Sequence, residues 1–513
     1  MNLYAAQAEL STFEEALNRA SSSDNLLAVK VALAWHLRQR DSARALRLVQ
    51  ALMPLVGGAG PSGRCDVDDE SAALRARAAL AAAEAAALFG DVDDAERWLA
   101  DARCHLAPPQ DAQAEGDAWL VEFTLAKARG QRERGLNALD RATTHFEKGG
   151  ATDHLAIARM WAIHELTLTH PDLDVLARLR PPAGATPEAA VAWDAIWSAA
   201  RGLALAHCEP QAAATVYRHA SGQAQALGMV QLEVTCMLGA GAALLDLGES
   251  HLAAQCFELA AGQARATCWP ALVAASDTRV AELLRDLGTF EESRRMLSDA
   301  IDVLAAGPRG TPLAAAHAAL AQTLLAMGLV EEAHMQATEA IALYRAARAD
   351  ADLARTLILQ ARVLLAGQRP LVAVAALDEA QSLIDAHALD CLRIGIADMF
   401  ASLHHRFVGV PRPVVDLTMP TVALHHAEAA LLAGSRIAGW KPRAELINFL
   451  AERWAEAGDH ARAYDYARQA LAANEQETAQ KMRYPLALLR LRRGVEAAAS
   501  PTPAPAELDL GAP

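Results

Sequence analysis

The residues of this sequence that could do chemistry are a glycine-rich hexapeptide, several histidines and a run of aspartates. Residues 58–63, Gly-Ala-Gly-Pro-Ser-Gly, match the glycine spacing of a loop that cradles the pyrophosphate of a dinucleotide. Such a loop must follow a strand and open a helix. Here a helical pattern precedes it, Pro61 lies inside it, and an acidic stretch follows. We therefore interpret residues 58–63 as a flexible loop.

The histidines do not have the spacing of metal ligands. His164, Glu165 and His170 resemble a zinc-binding His-Glu-x-x-His motif, but that motif places its two histidines one helical turn apart. The pairs at 404–405 and 425–426 are adjacent in sequence, and neighbouring side chains of a helix point about 100° apart. We therefore predict no metal site, and interpret these histidines as polar-face or core residues.

Other catalytic signatures are absent from the sequence. It contains no Gly-x-x-x-x-Gly-Lys-Ser/Thr phosphate loop and no Gly-x-Ser-x-Gly nucleophile turn. The acidic residues at 66–70 lack the glycine and the distal glutamate of a calcium loop, which favours a solvated acidic loop. We predict no catalytic residue and no cofactor, and a protein that is not an enzyme. The open alternative is an enzyme with a site hidden among helices, which loss of activity on substitution of His164 would reveal.

Composition and charge restrict the partners. The 513 residues carry a formal charge of −15, and an acidic chain repels phosphate backbones, so we expect no nucleic-acid partner. The first residues lack the basic and apolar regions of a signal peptide. The uncharged stretch Gly310–Val330 contains too many polar residues and glycines for a membrane span. Seven scattered cysteines without a Cys-x-x-Cys pair are typical of reduced thiols, which predicts a cytoplasmic location.

The elements that must position any site are helices arranged in a repeat. Six turn glycines, at 90, 130, 248, 288, 328 and 458, anchor the repeat, and Cys208 and Gly367 take the same place elsewhere. The six glycines and Cys208 are each followed by small residues five and twelve positions later, as Ser293 and Ala300 follow Gly288. These spacings place the small residues on one helical stripe, where they allow the preceding helix to approach.

This pattern resembles the second half of the tetratricopeptide motif, as in LGTFEESRRMLSDAI and MGLVEEAHMQATEAI. The anchors recur about every 40 residues, whereas the strict motif repeats about every 34. The resemblance implies an all-α, right-handed solenoid of about ten to twelve helical hairpins over residues 1–499. This longer form resembles arrays in bacterial signalling proteins. Residues 33–46 resemble the first unit of arrays that precede diguanylate cyclase domains, although the Gly-Gly-Asp/Glu-Glu-Phe signature of the cyclase is absent.

Three segments break the repeat, and a fourth has an unusual charge. We expect irregular structure at 54–70, 171–187 and 408–420, with a truncated second helix in the second of these, and a disordered Pro/Ala-rich tail at 500–513. Residues 481–493 are basic, with no acidic residue. They either cap the last repeat or dock an acidic partner or anionic surface, and Pro485 argues against one continuous helix.

The resemblance also implies a binding surface on the concave side, formed by the first helix of each hairpin. The family positions that face it correspond here to Asp117, Thr124, Lys127, His164, Thr235, Arg279, Glu282, Arg285, Gln322, Asn448 and Glu452. We therefore predict a non-catalytic scaffold or sensor that binds a protein or peptide in bacterial signalling or regulation. The alternative is a ligand- or peptide-responsive transcriptional regulator or adaptor. The sequence does not predict the partner or the oligomeric state.

Overall fold

The computed structural model describes residues 2–19, 23–56, 69–106, 111–407, 409–410 and 419–499. These ranges contain helices and turns but no strand. None of the helices within them is both long and apolar enough to cross a lipid bilayer. The helices are α1 Gln7–Arg19, α2 Ser23–Leu37, α3 Ser42–Val56, α4 Asp69–Phe89, α5 Val92–His105, α6 Ala112–Ala128, α7 Arg132–Lys148, α8 Thr152–Thr167, α9 Leu173–Arg178, α10 Pro187–Leu205, α11 Pro210–Leu227, α12 Val230–Asp246, α13 Ser250–Thr267, α14 Pro270–Asp286, α15 Phe290–Ala305, α16 Thr311–Ala326, α17 Val330–Ala347, α18 Asp350–Ala366, α19 Pro370–Ala386, α20 Asp390–Arg406, α21 Val422–Ser435, α22 Ala444–Glu456 and α23 His460–Ala499.

From α2 onward the helices pair in order into eleven hairpins, which confirms the predicted solenoid. The six anchor glycines have φ angles between +67° and +85°, the left-handed conformation that ends a first helix at little cost for glycine. The small residue five positions after each anchor is buried, as at Ala95, Ala253 and Ala333. Because no large side chain stands between them, the two helices of a hairpin pack closely.

Two anchors differ from the prediction. Gly367 has a φ of −80°, and the left-handed residue is Gln368, one position later, with a φ of +58°. Cys208 does not adopt the left-handed conformation at all. At Gln368 a residue with a Cβ adopts the left-handed conformation at a cost of about 1–2 kcal/mol, which the surrounding packing must offset, whereas the turn at Cys208 avoids that cost.

First helices form the inner layer of the solenoid and second helices the outer layer. First helices of neighbouring hairpins contact one another along most of the array, for example α14 with α16 and α18 with α20. Among the described residues, second helices mainly contact the helices next to them in the chain, apart from α13, which also contacts α23. The inner layer is therefore the surface onto which side chains of many hairpins converge.

The solenoid coils tightly enough for its successive superhelical turns to touch. The backbone carbonyl of His207, in the α10–α11 turn, accepts a hydrogen bond of 3.1 Å from the amide of Cys391, at the start of α20. Lys441, before α22, lies 2.5 Å from the carboxylate of Glu249, in the α12–α13 turn. In each case a turn within one hairpin contacts the start of the hairpin five further along, or the turn that precedes it. The same spacing relates Arg40 to Gly228, Gly130 to Pro308 and Phe89 to the cluster around Trp269.

The structure agrees with some of the predicted irregular segments and differs from others. Residues 54–56 belong to α3, which corrects the start of the first segment, whereas 57–68 and 411–418 lie outside the described residues. The short second helix of the second segment is α9, with six residues. The prediction that Pro485 interrupts the last helix is wrong, because α23 continues through it to Ala499. The predicted tail at 500–513 lies outside the described residues.

Candidate functional site

The inner layer of the C-terminal half contains a set of charged and amide side chains from six first helices. We call this surface the polar channel and define it by Asp246, Arg285, Gln322, Arg355, Arg362, Asp398 and Arg443. Each lies on, or directly beside, a first helix between α12 and α22. Because first helices converge, residues up to about 200 positions apart in sequence face a common space.

Several arginines of the channel have partners within the protein. Arg355 forms two hydrogen bonds to the carboxylate of Asp246, at 2.9 and 3.1 Å, although the two lie 109 residues apart. Arg285 donates to the side-chain oxygen of Gln322 at 2.5 Å, and thus joins α14 to α16. Of the predicted residues, Arg285 and Gln322 therefore lie together.

Arg279 and Glu282 of the predicted set form a salt bridge of 3.0 Å within α14. The charge of Glu282 is the main reason that the pKa of Arg279 is raised. The donors of Arg279 and the acceptors of Glu282 that a ligand could contact are thus already engaged with each other. The two residues stabilise the channel wall, and a ligand would compete with their mutual contact.

Arg362 and Arg443 differ from the other channel arginines. None of the salt bridges or side-chain hydrogen bonds within the described ranges includes either of them. Burial lowers the pKa of Arg362, and the positive charges of Arg443 and Arg285 lower it further, against the effect of Asp398 and Glu445. The channel therefore presents guanidinium groups whose hydrogen-bond donors are not engaged by the protein.

Asp398 is the acidic residue with the largest effect on the pKa of Arg362. Burial raises its pKa, while Arg362 and Arg443 lower it. No salt bridge of 4 Å or less joins Asp398 to either arginine among the described residues. The charges of the three residues thus influence one another without direct ion pairing.

The sequence analysis missed Arg362 because it placed one turn a residue too early. Glu282 and Gln322, both predicted, lie six residues before their left-handed turn glycines. Arg362 lies six residues before Gln368, the actual left-handed residue, and so occupies the same register. When the count starts from Gly367, Arg362 lies only five residues before the turn and does not match the position of Glu282 and Gln322. A count that allowed the turn to move by one residue would have found it.

The inner layer of the N-terminal half forms a second surface, which we call the N-terminal cleft. We define it by Trp35, Gln39, Phe123, Thr124, Lys127 and Trp161, which lie on α2, α6 and α8 or, for Gln39, just after α2. Thr124 and Lys127 were predicted from the sequence. The unfilled space of the cleft is about 40 Å³, enough for one or two water molecules.

Charged pairs support the floor of the N-terminal cleft. Arg38 lies 2.5 Å from the carboxylate of Glu84, and both side chains are buried. Lys127 lies 3.6 Å from Glu165. Burial alone would raise the pKa of Glu165, but Lys127 and His164 lower it to about 2. The Glu165 carboxylate therefore stays ionised and holds Lys127 in place.

Two predicted residues are not available to a ligand. Asp117 has no exposed surface and lies 3.2 Å from Arg77, and burial raises its pKa to about 6 against the effect of Arg77. His164 is also buried, 3.7 Å from Glu165 and edge-on to Trp161. Both belong to first helices as predicted, but they face neighbouring helices. The prediction placed both side chains on an accessible groove, whereas in the structure both are buried.

The remaining predicted residues lie apart from one another. Thr235, Asn448 and Glu452 are exposed, and the hydroxyl of Thr235 donates to the backbone of its own helix at 2.8 Å. The structure thus distributes the predicted residues over the N-terminal cleft, the polar channel and separate exposed positions.

The adjacent histidine pairs meet through one member of each. The rings of His404 and His426 stack with centroids 5.7 Å apart, and Phe400 stacks against both. Burial, together with the neighbouring His404 and His425, lowers the pKa of His426 to about 4. Within the described ranges no group of three or more potential ligands could hold a metal ion. The pairs therefore contribute an aromatic contact between α20 and α21.

Comparison with known families agrees with the hairpin geometry. The tetratricopeptide-repeat family model matches residues 272–346, which span the hairpins α14–α15 and α16–α17. The chain thus contains tetratricopeptide repeats at residues 272–346, and the hairpins around them have the same solenoid fold. None of the curated proteins matches the sequence. The resemblance of residues 33–46 to arrays that precede diguanylate cyclase domains stays a prediction.

Solved structures of low sequence identity are similar to this solenoid. A Rap protein complexed with competence and sporulation factor has a TM-score of 0.52 at 13% identity, over 73% of this chain and 100% of the other. The Rap conjugation gene regulator of plasmid pLS20, in complex with the Phr* peptide, has a TM-score of 0.45 at 11% identity, over 72% and 97%. The Cut9-Hcn1 hetero-tetramer of APC/C has a TM-score of 0.44 at 15% identity, over 96% and 90%. At these identities the likeness concerns the fold.

Proposed function

We propose that this tetratricopeptide-repeat protein is a non-catalytic scaffold or sensor, whose polar channel binds an extended segment of a protein or peptide in bacterial signalling or regulation. The observation that carries the proposal is the pair Arg362 and Arg443, which are exposed on the inner layer and have no salt-bridge or side-chain hydrogen-bond partner among the described residues. A guanidinium offers five donors in a planar fork that fits carboxylates and main-chain carbonyl groups. A polypeptide supplies both.

The alternative within the same class is a peptide-responsive regulator. The channel walls come from hairpins that are not neighbours, as the Asp246–Arg355 contact between α12 and α18, three hairpins apart, shows. A ligand that bridges these walls would change the pitch of the solenoid and thereby its affinity for a partner. The fold likeness to the Rap protein complexed with competence and sporulation factor supports this alternative.

The proposed location is the cytoplasm. Six cysteines lie within the described ranges, and all are free thiols, as expected for a reducing compartment. The net charge of −15 supports protein or peptide partners over nucleic acid.

The test replaces the two unpaired arginines in the full-length chain. Arg362→Gln with Arg443→Gln removes both charges but keeps side chains of similar reach. We expect capture of native partners from the source cell, quantified by mass spectrometry, to fall at least tenfold, since loss of two charge-assisted contacts costs about 3 kcal/mol.

The matched control is Arg294→Gln with Arg295→Gln on the outer helix α15, where both side chains are exposed. This variant has the same charge change and should retain all partners. Equal capture by the channel variant and the wild-type chain would refute the proposal, provided that circular dichroism shows both to be folded.

A further inference from the structure

The chain begins with a short segment that is neither helical nor exposed. Residues 2–6, before α1, have no regular secondary structure. Leu3, Tyr4 and Ala5 are nevertheless buried, with only 4%, 9% and 2% of their surface exposed. A non-helical backbone at such burial must find hydrogen-bond partners elsewhere in the protein. The segment finds them on the inner layer of the solenoid.

The main chain of the segment is held by side chains of the solenoid. The indole nitrogen of Trp35 donates to the carbonyl of Asn2 at 3.0 Å, and the guanidinium of Arg40 donates to the carbonyl of Ala5 at 2.9 Å. Arg40 also donates to the side chain of Gln7 at 2.6 Å. Contacts to carbonyl groups do not depend on the side chains of the segment, so any extended chain could form them.

Arg40 itself is fixed from the opposite side. It packs against Gly228, whose φ of +65° and missing Cβ leave room for the guanidinium. Burial raises the pKa of Glu233, and the charge of Arg40 opposes that shift. The clamp on the segment is thus formed jointly by the α2–α3 turn and by α12, five hairpins away.

The side chains of the segment enter the N-terminal cleft. Leu3 and Tyr4 line its space together with Phe123, Thr124 and Trp161. The indole nitrogen of Trp161 lies 3.4 Å from the hydroxyl of Tyr4, at the long end of a hydrogen bond. The aliphatic and aromatic side chains almost fill the cleft, which leaves about 40 Å³.

We infer that the N-terminal cleft is a binding site for an extended polypeptide segment in which an aliphatic residue precedes tyrosine, and that residues 2–5 occupy it as an internal ligand. The inference deepens the proposed function and rests on it, but it concerns a different surface from the polar channel. An external segment must displace residues 2–5, and because the internal segment is tethered, its high effective concentration weakens the apparent affinity for a competitor.

The test uses the full chain with Leu3→Ser and Tyr4→Ser, which weakens the internal segment without altering the cleft. The probe is a fluorescein-labelled hexapeptide with the sequence of residues 2–7, Asn-Leu-Tyr-Ala-Ala-Gln. We expect fluorescence anisotropy to show at least tenfold tighter binding to the variant than to the wild-type chain. A hexapeptide with serine in place of its leucine and tyrosine should bind neither.

A third substitution tests where the probe binds. Thr124→Arg, added to the double variant, fills the remaining space, and the threonine hydroxyl it removes contacts only the backbone of its own helix, at 3.4 Å. Probe binding should disappear. Binding that survives this substitution would place the probe elsewhere and overturn the inference, as would a folded double variant with no gain in affinity.

A milder variant covers the case in which the double variant does not fold. Tyr4→Phe removes only the hydroxyl near Trp161, and should increase probe affinity about threefold, in line with the loss of one weak hydrogen bond. No increase in this folded variant overturns the inference. The proposed function remains testable independently, because partner capture through Arg362 and Arg443 does not involve residues 2–5.

Discussion

At the scale of single residues, the clearest energetic consequence comes from buried histidines. His36 is 7% exposed, its ring stacks on Phe13 at 5.5 Å, and neither ring nitrogen has a hydrogen-bond partner among the described residues. Burial first, and then the charge of Arg38, lower its pKa to about 3. The folded state therefore keeps this ring neutral, whereas the unfolded chain protonates it near pH 6.5.

This difference predicts a loss of stability in acid. As the pH falls below about 6.5, only the unfolded state takes up the proton, so the contribution of His36 is lost progressively toward pH 3 and amounts to about 2 kcal/mol by pH 5. His36→Phe keeps the aromatic contact and should reduce the drop in unfolding free energy between pH 7 and pH 5 by about that amount. Urea unfolding at both pH values checks it. An equal drop in both proteins would assign the acid sensitivity to other groups.

At the scale of helices, small residues determine how closely the two layers approach. Gly241 on α12 faces the ring of Phe257 on α13, which is fully buried, and a Cβ at Gly241 would overlap that ring. The ring has no free space into which it could move, because protein interiors are close-packed. The contact between α12 and α13 thus depends on the missing side chain.

Gly241→Ala should lower the unfolding free energy by about 2 kcal/mol, since the overlap outweighs the gain in helix propensity of about 1 kcal/mol. Gly262→Ala, inside α13, is the matched control, because a Cβ there meets no atom within 4 Å. The control should be neutral or stabilising by up to about 1 kcal/mol. Thermal and urea unfolding measure the stability of both variants. If both variants changed the unfolding free energy in the same direction, this account of the helix contact would be contradicted.

At the scale of the whole molecule, contacts between hairpins that are not neighbours hold the coil together. The Asp246–Arg355 pair joins hairpins that are not neighbours, and the charge of Arg355 lowers the pKa of Asp246 against the effect of burial. The side chains are 24% and 42% exposed, so solvent screens part of their attraction. The pair therefore contributes modestly to stability while it fixes the width of the channel.

A double-mutant cycle with Asp246→Asn and Arg355→Gln should give a coupling energy of about 1 kcal/mol that falls with added salt. Small-angle X-ray scattering of the two single variants should show a larger radius of gyration than the wild-type chain. If the single variants scatter like the wild-type chain while the cycle still gives a measurable coupling energy, the pair stabilises the coil without setting its width.

The sequence by itself determined the helical hairpin and its repetition. The pattern of a turn glycine followed by small residues after five and twelve positions is local, and each hairpin forms from contacts within about 40 residues of its own chain. The inner position of the first helices follows from the same motif. Thr124, Lys127, Arg285 and Gln322 accordingly lie on first helices, and their role in binding stays a prediction.

The tertiary structure alone decided which inner residues are accessible and what they meet. Arg362 lies at the channel-facing position because the left-handed turn residue is Gln368 rather than Gly367. Asp117 is inaccessible to a ligand because neighbouring helices cover it. The contact from Tyr4 to Trp161 spans 157 residues and belongs to no repeat. Superhelical coiling accumulates from a small rotation at every hairpin, so contacts between distant turns are a property of the whole array and no single repeat encodes them.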